Sequence, residues 1–239
     1  MLNIFFYTLI PAVCMLLGGI FASMYRPGER LTSATQHFAA GVVFAAVAKE
    51  LLPKLGEESG TFVLVIGFML GIISMLLLKK FTESLSERKE AAKGMPWGLI
   101  GGVAIDVFID GILIGIAFLV GTKGGILIAV ALAIEVLFLG LSTSATLHSN
   151  GVTIKRSMMV IFILALLLPF GSISGAGLLS QLPQYYTEGL LAFGVAALLY
   201  LVTEELLLEA HERDDTAMVT LSFFIGFLLI LLLEKIAAA

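Results

Sequence analysis

The chain has 239 residues, of which 59% are hydrophobic and only 13% charged. A water-soluble domain carries roughly a quarter charged residues, so a mean hydropathy of +1.06 excludes a cytosolic enzyme and describes a chain dissolved in lipid. The net charge of −4 offers no surface for nucleic acid, and a single cysteine, Cys14, forms no internal disulfide and reads as a small apolar filler.

A helix needs about 20 mostly apolar residues to cross ~30 Å of hydrocarbon. Runs at about 4–24, 33–53, 61–80, 96–119, 124–147, 157–180, 187–210 and 216–236 meet that requirement. They predict an all-α, polytopic membrane bundle of eight transmembrane helices. The apolar/polar alternation of a membrane barrel is absent. No shift in composition divides the chain, so one domain is expected over 1–239.

Span one has neither a basic leading segment nor a small-residue cleavage site, and it is too long for a signal peptide, so it is expected to be retained. Span two carries FAAGVVFAAVAKELL at 38–52, with Lys49 and Glu50 near its end. After span three, KKFTESLSERKEAAKGM at 79–95 predicts a solvated charged linker. Asp106 and Asp110 lie near the centre of span four, and Glu135 near the centre of span five. Glycines in spans four and five read mostly as packing residues. Pro169 with Gly171, Gly175 and Gly177 predicts a kink in span six, with Ser172 and Ser174 as minor candidate ligands. Span seven carries FGVAALLYLVTEELL at 193–207 and ends in a polar segment with Glu204, Glu205, Glu209, His211 and Glu212.

Loop cations fix the expected orientation. The loops after spans one, three, five and seven hold ten Lys and Arg, against Lys54, Lys123 and Lys235 on the other face. The richer face is expected in the cytoplasm, with both termini outside.

Two internal repeats stand out. At an offset of 155, Phe38/Phe193, Val47/Val202, Glu50/Glu205, Leu51/Leu206 and Leu52/Leu207 are identical. At an offset of 29, AIDVFIDG at 104–111 matches AIEVLFLG at 133–140. Each pair of segments runs in opposite directions through the membrane. Inverted repeats of this kind place transporter sites at mid-depth near a pseudo-two-fold axis, although short apolar words also recur by chance. Glu50 is then expected near the outer face and Glu205 near the inner one.

An acid at mid-membrane costs about 2.5–3.5 kcal/mol on a translocon scale, so three of them need a reason. Asp106 and Asp110 share one helical face, and no Lys or Arg lies at that depth to neutralise them. A bound cation or a shared proton does so. The alternative is three protonated acids hydrogen-bonded to neighbouring Ser, Thr or backbone. An oxygen-only site suits Mn, Mg or Ca better than Zn.

HFAAGVVFAAVAKELLP in span two and FGVAALLYLVTEELLLEAH in span seven resemble helices two and seven of the ZIP (Zrt/Irt-like) metal transporters. Eight spans and a longer basic loop after span three are similar too. The resemblance implies a divergent member with a metal centre on spans four and five. DVFIDG puts Asp106 where the family has His and Asp110 where it has Glu; EVLFLG puts Glu135 where the family has Gln or His. Val107, Val136 and Leu139 stand at positions that usually carry ligands, so the resemblance implies one retained oxygen site and one depleted site. It further implies that the segment 204–211, with Glu205 and His211, lines an inner exit; an ordinary interfacial helix end is the plainer reading.

The expected function is transport of a divalent cation (zinc, iron or manganese) with no cofactor and no enzymatic activity. The candidate metal-handling residues are Asp106, Asp110, Glu135, Glu50, Glu205 and His211. Expected partners are the ion, the lipid bilayer of a plasma (inner) membrane and a second copy in a homodimer. A proton-coupled carrier of another solute, with the three central acids as relay, and a degenerate non-transporting member are the alternatives.

Overall fold

The structure, a computed structural model, describes residues 2–25, 28–55, 60–87, 95–179, 183–211 and 216–237. Among these, eight helices are long and apolar enough to cross a membrane: Phe5–Met24, Arg30–Lys54, Thr61–Phe81, Trp97–Leu119, Thr122–Ser149, Ile154–Gly177, Tyr186–Leu206 and Ala217–Lys235. The described residues contain no strand. The eight spans fall where the hydropathy predicts them, because in hydrocarbon the backbone satisfies its polar groups only within a helix.

One expectation needs correction. The helix of span three continues to Glu87, well into the segment expected as linker. KKFTESLSE holds no Gly or Pro, and its Lys, Leu and Glu are good helix formers, so charge alone does not end the helix. Arg26, Arg88, Lys89, Lys93 and Arg213, half of the cations that set the expected orientation, lie outside the described residues, as does Glu212. Pro169 sits inside a helix that runs from Ile154 to Leu179.

Span five is the centre of the bundle, with 67% of its apolar window buried, whereas spans three and eight reach only 17%. These two turn Phe62, Leu77, Phe81, Phe224 and Ile225 outward, as lipid-facing helices do. The most extensive interfaces join spans one and five, four and six, two and eight, and three and seven.

These four interfaces form two inverted pairs, and glycines show it residue by residue. A Cβ at Gly226 would run into the Phe38 carbonyl, and one at Gly71 into the Phe193 carbonyl. Phe38/Phe193 and Gly71/Gly226 are each 155 residues apart. The contact between spans two and eight is therefore the image of that between seven and three. Likewise Gly18 meets the Leu137 carbonyl and Gly140 that of Met15, while Gly171 meets the Phe108 carbonyl and Gly111 that of Leu168. Here spans one and six are related by an offset of 153, and spans four and five by 29. Small residues let membrane helices approach to backbone contact, and this chain uses them at symmetric positions.

The symmetry extends to helix defects. Span two passes from α-helix to a π turn at Val47–Leu51, and span seven does the same at Leu201–Leu206. The two turns hold Glu50 and Glu205. Such turns occur mostly as single insertions at functional positions.

Candidate metal centre

Spans four and five are neighbours at the centre, and the 29-residue repeat lies where they face each other. One oxygen from each of Asp106, Asp110 and Glu135 falls within 4.8 Å of the others. Asp110 and Glu135 are buried, at 1% and 3% exposure, and Asp106 is half-buried. The Asp110 and Glu135 carboxyls approach each other within 4.8 Å, while Asp110 Oδ2 and Glu135 Oε2 have no partner among the described residues. Two buried carboxylates this close share a proton or a cation, because their like charges are neither hydrated nor screened. These two oxygens keep the capacity to bind a proton or a cation.

A cavity of about 940 Å³ leads from Asp106 and Glu135 to one end of the bundle. Its wall takes Gly98, Gly102 and Asp106 from span four, and Glu135, Leu139 and Ser142 from span five. Each set follows the i, i+4, i+7 or i+8 spacing of one helical face. Gly98 and Gly102 thus open space, whereas Gly111 and Gly115 pack against span six. The cavity mouth is formed by the ends of spans one, three and seven, at Met24, Lys79 and Leu208, together with the start of span two at Leu31. This is the face that carries the loops after the odd-numbered spans.

Glu205 lines the same cavity. It does not belong to the three-acid cluster. Neighbouring Glu204 pairs with Lys79 of span three at 3.4 Å.

Glu50 is not part of this group. It is buried at 6% exposure, lies beyond the cavity lining, and is 3.9 Å from Lys54. His211 is exposed; its Nδ1 is 2.6 Å from the Leu207 carbonyl and its ring packs on buried His37 at 4.9 Å. It belongs neither to the three-acid cluster nor to the cavity wall. Ser172 Oγ lies 3.3 Å from Thr8 Oγ1 and 3.1 Å from the Pro169 carbonyl, and Ser174 donates to the Phe170 carbonyl within its own helix, so both hydroxyls are already engaged. Sequence reasoning missed Thr143 and Gln36, which also line the cavity. Thr143 had a signal, since it lies eight residues, just over two turns, beyond Glu135.

No family model matches the chain. It is 26% identical to the zinc transporter ZupT of Chlorobaculum parvum, over 88% of each of the two chains. Eight apolar helices and near full-length similarity to a transporter describe an integral membrane protein.

Proposed function

We propose that the chain is a divergent ZIP-like carrier that moves a divalent metal cation across a membrane by alternating access. The reading is carried by one observation: three carboxylates from two symmetry-related helices converge at mid-membrane, at the closed end of a cavity open to one face. In this reading Asp106, Asp110 and Glu135 ligate the ion, and Glu205 receives it on the way along the cavity. The membrane is a plasma (inner) membrane with both termini outside, so the cavity faces the cytoplasm.

Similarity to a zinc transporter favours zinc as the cargo, while an oxygen-only ligand set favours a harder ion such as manganese. Uptake into proteoliposomes with a panel of zinc, iron and manganese tests the reading. Saturable uptake of at least one ion, lost in Asp110→Asn, supports it; no uptake of any divalent ion contradicts it.

The proximity of buried Asp110 and Glu135, within 4.8 Å, favours a second reading, in which the acids relay protons for another solute. Proton-driven uptake of a solute without any metal binding distinguishes it.

A further inference from the structure

At the end of the bundle opposite the cavity Glu50 and Val47 are buried, and a cation of the chain itself sits beside them. Lys54, at the end of span two, places Nζ 3.9 Å from Glu50 Oε2. Both atoms lie against the first turn of span five: a Cβ at Gly124 would be 3.1 Å from Lys54 Nζ and 3.4 Å from Glu50 Oε2, and one at Gly121 would be 3.4 Å from the same Nζ. The inverted image of this arrangement differs in sign. Glu50 corresponds to Glu205 at the 155-residue offset, and Lys54 corresponds to Glu209. One end of the pathway therefore pairs its acid with a base, and the other follows its acid with a second acid.

We propose that Lys54 is a tethered cation that fills the cation position at Glu50 and holds this mouth shut until an incoming metal ion displaces it. The proposal rests on the cation-transport reading above. Lys54 is then a residue that sets affinity at the mouth: a divalent ion outcompetes one ammonium for a carboxylate, whereas a monovalent ion has no such advantage.

The test reads accessibility rather than transport. Val47, buried and one turn deeper than Glu50 in the same π turn, is replaced by cysteine in a Cys14→Ala background. A charged thiol reagent is then applied to the detergent-solubilised protein. Lys54→Met should speed labelling at least fivefold, and Lys54→Arg should leave it near the parent rate. The Glu50→Gln/Lys54→Met double variant, which leaves no unpaired charge, should label as fast as Lys54→Met. Equal rates in all four proteins would overturn the proposal, as would acceleration by Lys54→Arg equal to that by Lys54→Met. In proteoliposomes, Lys54→Met should lower the half-saturating Mn²⁺ concentration at least threefold; an unchanged value would also count against it. If no protein takes up any metal, the transport reading fails while the labelling comparison still decides whether Lys54 closes the mouth.

Discussion

Lys49 lies 3.2 Å from Glu234, and this pair is the inverted image, with charges exchanged, of Glu204 and Lys79 at 3.4 Å. Both correspondences, 49 with 204 and 79 with 234, follow the 155-residue offset. Each pair ties a helix that carries a π turn to a lipid-facing helix, two to eight and seven to three. What is kept between the halves is the tie, not the residue that makes it.

Both ties involve partly exposed side chains, so each contributes about 0–1 kcal/mol. Lys49→Ala should lower the melting temperature by no more than about 4 °C, and exchanging the pair as Lys49→Glu/Glu234→Lys should restore most of that loss. Thermal unfolding followed by fluorescence in detergent measures both.

The glycine contacts are the stronger constraint. Gly226→Ala forces a methyl into the Phe38 carbonyl, and overpacking of this kind costs about 1–3 kcal/mol. The melting temperature should fall by about 3–10 °C. Gly101→Ala, where a Cβ meets nothing within 4 Å, should be neutral or stabilising, since alanine is favoured over glycine in a helix by about 1 kcal/mol. A larger loss at Gly101 than at Gly226 would contradict the packing described.

Glu205 lines the cavity that reaches Asp106 and Glu135 without belonging to the three-acid cluster. Glu205→Gln should therefore weaken divalent-ion binding severalfold, by reducing the negative field at the site, without abolishing it. Titration with Mn²⁺ by calorimetry separates this outcome from the full loss expected for Asp110→Asn.

The eight spans were legible because lipid imposes one requirement on every residue of a run. The three acids were legible because their placement is costly. The pairing of interfaces was only half legible. Residues repeat between spans two and seven and between four and five, but between the outer helices three and eight identities such as Phe68/Phe223, Gly71/Gly226 and Lys80/Lys235 are diluted by Leu, Ile and Phe that replace one another against lipid. The π turns that hold Glu50 and Glu205 were not legible, because no residue type marks the change of helical register. The partnership of Glu50 with Lys54 was missed for a different reason: at the edge of a span Lys54 read as a loop cation, although its i, i+4 spacing puts it on the face of Glu50. Span three outran its expected end because its charged residues are also helix formers.

The central claim is that Asp106, Asp110 and Glu135 bind a divalent cation, and thermal stability in detergent tests it most directly. A ligand bound only by the folded state stabilises it by about 2.7 kcal/mol at a hundredfold excess over its dissociation constant, a rise of about 5–10 °C for a chain of this length. Mn²⁺ should produce such a rise in the parent, at least as well as Zn²⁺. Asp110→Asn should show almost none, while its metal-free form should be no less stable than the metal-free parent, having lost one like charge. If neither Mn²⁺, Zn²⁺ nor Fe²⁺ shifts the parent's melting temperature, the three acids do not form a metal site.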